Sequence, residues 1–188
     1  LRELSVRCVT TEAAVDALDE AARAVEALAA AIPPGPTAKD AWISKAYFAD
    51  PTRWVDRGAL MGQSNPVAPP MHATWDGARS TCWVTLSEVY VGAPGMVHGG
   101  VIAACFDQVC GHAVVMSGAS GFTTQLSVRY RRPTPLDAPL RFEAWITGTR
   151  ERRLLVESRC FHGDDVLASC EGTFASLDPA EARAIISR

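Results

Sequence analysis

The stretch Gly92-Ala-Pro-Gly-Met-Val-His-Gly-Gly-Val-Ile-Ala-Ala-Cys-Phe-Asp107 sets a turn, a glycine pair and a helix start ahead of Asp107, the only carboxylate between Glu88 and Asp137. From Gly99 to Val115 nearly every residue is small or apolar, so the segment reads as a helix buried almost all round. A carboxylate inside such a helix is costly unless it is paired or used, which makes Asp107 the first candidate for chemistry. The helix start is the second. Gly99 and Gly100 would let a ligand approach backbone N–H groups that have no intrahelical partner and sit at the positive end of the helix dipole. Such a corner is suited to a developing oxyanion.

Nine residues separate His98 from Asp107. Along a helix that is two and a half turns, with about 13 Å of rise and the two side chains on opposite faces. His98 and the amides of Gly99 and Gly100 therefore cannot meet Asp107 of the same chain on one small reacting group. Two such helices packed antiparallel about a two-fold axis would bring each helix start beside the Asp of its neighbour. The spacing predicts a homodimer with composite sites, open to assembly as a dimer of dimers.

Outward from this helix, placed at 98–116, the period of the sequence is two. Residues 80–90, 122–132, 139–149, 152–162 and 165–176 read as strands. The alternation is plain in Leu126, Val128 and Tyr130 against Ser127, Arg129 and Arg131, and Gly163-Asp164 has hairpin spacing. One long apolar helix among antiparallel strands implies an α+β fold whose sheet wraps the helix. Upstream, a helix is expected to start at Thr10 or Thr11 and to carry Val15, Leu18, Ala22, Val25, Leu28 and Ile32 on one face until Pro33-Pro34-Gly35-Pro36 ends it. Its apolar face is expected to pack on the domain or on a partner subunit. A connector with Trp42, Tyr47, Phe48 and Trp54 follows, its aromatics expected to pin it to the core, and then the turn-rich Gly62-Gln-Ser-Asn-Pro66 and Ala68-Pro-Pro70. Asp178-Pro179 has the form of a helix start. The chain thus divides into an N-terminal helix and connector (1–57), a main domain (58–177) and a short C-terminal helix (178–188).

A formal charge of −3 argues against nucleic acid as the main partner. We expect no membrane span, because no continuous apolar run reads as long enough, and no signal-peptide pattern, which points to a cytoplasmic protein. The opening at Leu1 rather than Met leaves room for residues upstream. The six cysteines form no C-x-x-C pair and no zinc-type spacing, so they read as small buried hydrophobes in a reducing compartment, with no metal site. Residues 122–160 hold eight arginines against Asp137, Glu143, Glu151 and Glu157.

Pro94-Gly-Met-Val-His-Gly-Gly-Val-Ile-Ala-Ala-Cys-Phe-Asp107, followed by Thr123-Thr-Gln-Leu-Ser-Val-Arg-Tyr-Arg-Arg-Pro133 and Pro135-Leu136, resembles the hot-dog-fold acyl-CoA thioesterases of the PaaI and THEM4-like group. The resemblance covers about residues 58–177. It implies a hot-dog fold, with Asp107 as nucleophile or general base, the amide of Gly99 or Gly100 as donor to the thioester carbonyl, and Thr123 as a hydroxyl that positions the attacking water. One position departs from the pattern: where some members carry an Asn six residues before the His, this chain has Gly92.

Thioester hydrolysis needs a donor where the carbonyl oxygen becomes negative and a base or nucleophile near the carbon, and the thiolate is a good leaving group, so no cofactor beyond the substrate's own coenzyme A is expected. His98, at the turn into the helix, either contacts the substrate or holds the loop through its ring. Arginine forks suit the phosphates of coenzyme A, with Arg131 and Arg132 the foremost candidates, and Gln125, Ser64 and Asn65 are candidates for lining the pocket. Tyr90, His72, His112 and His162 read as structural or exposed. Hydration or dehydration of an acyl thioester on the same fold would need a different acid–base arrangement. A non-catalytic acyl-CoA-binding protein is the alternative from another class, and it would gain nothing from a buried carboxylate beside a thioester.

Overall fold

The structure is a computed structural model that describes residues 1–35, 58–119 and 121–178. The aromatic connector and the proposed C-terminal helix after Asp178 lie outside the described residues. Six strands, β1 (His72–Trp75), β2 (Arg79–Thr85), β3 (Gly121–Tyr130), β4 (Pro139–Arg150), β5 (Arg153–His162) and β6 (Asp165–Ser176), form one antiparallel sheet in the order β1-β2-β4-β5-β6-β3. The central helix, here α3, runs from Gly99 to Met116 across the inner face of that sheet. The order α1, α2, β1, β2, a 3-10 turn at Glu88–Tyr90, α3, then β3 to β6 is the α+β hot-dog arrangement, with helices α1 (Arg2–Thr10) and α2 (Val15–Ala31) in front of it.

The strands follow from alternation and turn chemistry. Leu140, Phe142 and Ala144 of β4 face α3, and so do Leu154, Val156 and Cys160 of β5 with buried Ser158 in the same row, while the alternate residues face outward. His162 pairs with Asp165, leaving Gly163-Asp164 as a two-residue turn, and Gly163 at φ +59 takes the positive-φ first position that such turns require. The expected strand 80–90 is shorter, ending at Thr85, because Ser87 and Glu88 lead into the 3-10 turn. β1 is a strand that the turn-rich approach to it concealed.

Helix α3 is not buried all round. Ile102, Cys105, Phe106, Val109, Cys110, Ala113 and Val114 are covered by the sheet, with Phe106 meeting Phe142 edge to face at 5.1 Å. Each such side chain contributes about 1.5–3 kcal/mol on burial. The opposite face, including Ala104, Asp107, Gln108 and Gly111, is only partly covered. By length and composition α3 is also long and apolar enough to cross a bilayer, which corrects the expectation that no such run exists; here it is the core helix of the domain.

The N-terminal region differs from expectation. It is two helices rather than one: Thr11 accepts the Ala13 N–H through its hydroxyl and closes a turn between them. α1 packs on the domain, whereas α2 buries none of its residues, so the expected packing of its apolar face on the domain is not found. Five cysteines are buried and free, and burial pushes the thiols of Cys82 and Cys160 up to about 12, as expected of inert core groups. Cys8, on α1, is exposed.

Candidate active site

Asp107 leaves α3 on its open face, and there Thr123 donates its hydroxyl to Asp107 Oδ1 at 2.8 Å. Strict alternation would not have aimed Thr123 this way. Leu126, Val128 and Tyr130 set the inward parity of β3, which assigns residue 124 to the inside and 123 to the outside. The register against β6 slips between Thr123 and Gln125, where an extra residue bulges the strand and Thr124 turns its hydroxyl to the Thr173 carbonyl. Thr123 thereby pairs with Phe174, on the inner side, and faces the helix. Gln125, past the slip and in regular alternation with Leu126, lies opposite Thr173 on the outer face, so the structure does not bring Gln125 to Asp107.

The helix start is held from several sides. His98 is the N-cap of α3, its ring Nδ1 accepting the Gly100 N–H at 2.9 Å, and its carbonyl accepts from Val101 and Ile102. The Gly100 amide is thus occupied, while the Gly99 N–H has no acceptor among the described residues. A backbone N–H can only donate, so Nδ1 carries no proton in this arrangement and a neutral His98 bears its proton on Nε2. Tyr130, at the end of β3, donates its hydroxyl to the Gly99 carbonyl at 2.7 Å. That contact went unnoticed in the sequence, although the inward parity of Leu126, Val128 and Tyr130 points to it. A Cβ at Gly92 would come 2.7 Å from His98 Cα, so the departure from the Asn pattern is enforced by close backbone approach.

The remaining candidates separate clearly. Arg132 pairs with Asp165 at 2.6 Å, both exposed, whereas Arg131 has only a 3.5 Å contact with the Ser169 hydroxyl. Asn65 spends its side chain on its own loop, donating to the Gly58 carbonyl and accepting the Val67 N–H, and Ser64 is exposed. Arg141, one of the eight arginines of 122–160, is structural, together with Arg79 from β2. Arg79 and Arg141 both hold Glu143, which is 7% exposed on the outer face, and stack on Trp145, and on Trp83 and Phe161, respectively. His112 shares a 2.8 Å hydrogen bond with buried Ser80, and burial lowers its pKa below the usual histidine range. His72 and His162 are exposed, and half-buried Tyr90 has its hydroxyl pKa raised by burial.

Within one chain, then, the structure joins Asp107 to Thr123 and, separately, gathers His98, Gly99 and Tyr130. It does not bring the two groups together, because one unbroken helix lies between them. Chemically, the first group can accept a proton or attack a carbon, and the second can stabilise negative charge on oxygen.

Residues 94–169 match the model of the thioesterase superfamily. Over 106 residues the chain is 26% identical to acyl-coenzyme A thioesterase THEM4 of Bos taurus, and over 105 residues 25% identical to acyl-coenzyme A thioesterase THEM5 of Homo sapiens; each match covers 55% of this chain. The matches span only 44% and 42% of those relatives. Among solved structures, a thioesterase superfamily protein is similar with a TM-score of 0.60 and 29% identity, covering 88% of this chain and 92% of that one. A hypothetical thioesterase of Streptococcus pneumoniae TIGR4, crystallised with coenzyme A, shares the fold with a TM-score of 0.53 at 17% identity, over 56% of this chain and 87% of its own. The motif, the helix wrapped by its six-stranded sheet and these likenesses agree: residues 94–169 carry a thioesterase-superfamily domain, and the chain has the hot-dog fold and is similar to the PaaI and THEM4-like group.

Proposed function

We propose that the protein hydrolyses acyl-coenzyme A thioesters to a carboxylic acid and free coenzyme A, at sites composed from two copies of the chain. The observation that carries this reading is the Asp107–Thr123 hydrogen bond on the open face of α3. It leaves the one carboxylate of the helix, oriented by a hydroxyl, on a face otherwise made of uncharged residues. Asp107 acts as base or as nucleophile. As a base it takes a proton from water while the oxygen adds to the thioester carbon. The carbonyl oxygen becomes an oxyanion held by the Gly99 N–H, and collapse expels the coenzyme A thiolate, which then takes up a proton. Since Gly92 offers no side chain, the Nε2–H of His98 supplies the second donor that an Asn would otherwise give.

The composite site follows from the distance argument and from what the fold leaves uncovered. β3 is an edge strand paired only with β6, and beside it lies the partly covered face of α3 with Ala104, Gln108 and Gly111. A second copy laid on this face would cover it and bring its own helix start to Asp107. Arg131, free of the ion pair that occupies Arg132, is the better partner for a coenzyme A phosphate. The setting is the cytoplasm.

The deciding experiment follows free thiol release from acyl-CoAs of graded chain length and from aryl-acetyl-CoA. Multiple turnovers on at least one substrate are expected. Stoichiometric binding of acyl-CoA without any turnover would replace this reading with the acyl-CoA-binding one.

A further inference from the structure

Arg2 stands in the first turn of α1 and spends its guanidinium on backbone. Its Nη2 donates to the carbonyls of Gly62 and Asn65 at 3.1 and 3.0 Å, and its Nε to that of Ala68 at 3.4 Å. These carbonyls belong to a run of tight turns, in which Asn65 N–H bonds Gly62 O and Ala68 N–H bonds Asn65 O. One planar cation therefore gathers three oxygens spaced three residues apart, a task for which the fixed fork of arginine is suited and a lysine is not. The rest of α1 lies against the 3-10 turn Glu88–Tyr90, close enough for the charge of Arg2 to act on the Tyr90 hydroxyl.

From Tyr90 the chain of contacts leads straight to the helix start. The Tyr90 carbonyl accepts the His98 N–H at 2.9 Å, Val91 bridges Val97, and the Gly92 N–H bonds the Met96 carbonyl. Residues 90–98 are thus a zipped loop whose two ends meet. Its far side is tied to the main domain, where the Val97 N–H bonds Thr134 O and the Leu136 N–H bonds Gly95 O. Its Tyr90 side rests on α1. Moving Tyr90 moves His98, because the pair is hydrogen-bonded and Gly92 leaves no slack between its own backbone and His98 Cα. His98 in turn caps α3 and sets the direction of the Gly99 N–H.

We infer that α1, anchored by Arg2, is a positioning element of the thioester site: it fixes the Tyr90 end of the 90–98 loop and through it the place of His98 and the Gly99 amide. In its catalytic consequence this rests on the function proposed above; the mechanical coupling does not. Donors to a developing oxyanion must be held within about 0.5 Å, and a shift of about 1 Å costs on the order of a hundredfold in rate. A loop supported on one side only would lose part of that precision. Binding of coenzyme A, which does not run through this loop, would be spared.

The test uses the full chain with Arg2→Ala, Arg2→Lys and, as a second way to loosen α1 without touching the cation, Leu4→Ala, which truncates a half-buried side chain of that helix. Two quantities are read: kcat and KM for an acyl-CoA, and amide hydrogen exchange over residues 88–101. Arg2→Ala should speed exchange in that segment while leaving the core of β4 and β5 protected, and should lower kcat about tenfold with KM within about twofold. Arg2→Lys should recover only part of both, and Leu4→Ala should repeat the pattern more weakly. Unchanged exchange at 88–101 in both alanine variants overturns the inference, as does faster exchange with unaltered kcat, or exchange raised throughout the domain. If the wild-type chain turns over no acyl-CoA, the proposed function falls and the positioning role with it, whereas local exchange still reports whether α1 grips the loop.

Discussion

The two faces of α3 divide the work of this protein. On the sheet side, Ile102, Cys105, Phe106, Val109 and Val114 are buried and inert, and changing them is a matter of packing. On the open side, one or two residues away along the same helix, Ala104, Asp107, Gln108 and Gly111 are small or polar and only partly covered by their own chain. The difference separates the core face of the helix from the face that carries the candidate site. Its apolar composition is uniform enough to look like core all round, yet the described residues cover the second face only in part.

The contrast is sharpest at adjacent residues. Asp107→Ala should remove at least about a hundredfold of kcat and leave the fold intact, since the carboxylate is partly exposed and its loss opens no cavity. Phe106→Ala, one residue earlier and fully buried against Phe142, should instead destabilise the protein by about 3–5 kcal/mol. Thermal unfolding and kinetics on both variants check this together. Comparable turnover in wild type and a folded Asp107→Ala protein would remove the chemistry from the open face.

Much of this division was legible in the sequence. The helix bounds, strands β3 to β6 and the Gly163-Asp164 turn follow from periodicity and turn residues, and Asp107 from being a lone carboxylate in an apolar run. What was not legible depended on contacts distant in sequence. The bulge at Thr124, which turns Thr123 inward against the alternation of the rest of β3, comes from pairing with β6, some fifty residues downstream. The occupation of Gly100 by the His98 ring, and the docking of α1 through three backbone carbonyls, use a cap and a cation whose partners no pattern reveals. α2 shows the reverse case: its apolar spacing is clear, and none of its residues is buried.

The next effect in size tests whether the open face belongs to a neighbour. The free amide is that of Gly99, the first residue of α3, and His98 before it has φ −60 and ψ 132, a conformation that a following proline accepts. Gly99→Pro should therefore delete the oxyanion donor while keeping the helix. Mixed with Asp107→Ala chains, each inactive alone, it should restore up to about a quarter of wild-type activity, because half of randomly paired dimers are mixed and each has one intact site of two. Mixed dimers that form and stay inactive would place the whole site within one chain.

A smaller effect separates two neighbouring arginines. Arg131→Ala should raise KM for acyl-CoA several-fold, with kcat nearly unchanged, and should not affect an acyl-pantetheine substrate that lacks the nucleotide. Arg132→Ala should do less, because its guanidinium already faces Asp165. Equal loss on both substrates would make these arginines structural.

The smallest expected effect lies at His112, on α3 but away from Asp107. Burial against the sheet, where it bonds Ser80, lowers its pKa from 6.5. Above that value the ring is neutral in folded and unfolded chains alike and contributes no pH dependence. As pH falls through 6.5 the unfolded chain takes up the proton first, so stability is lost, and the loss continues until the folded ring also protonates. One proton changes stability by at most about 1.4 kcal/mol per pH unit, and the partial exposure of the ring keeps the effect below that limit. His112→Gln, which can still bond the Ser80 hydroxyl but does not titrate, should have a shallower decline of Tm between pH 7 and pH 5 than the wild type. Identical slopes would mean that His112 gains its proton as readily in the fold as out of it, and that this end of the sheet-covered face is wetter than its burial suggests.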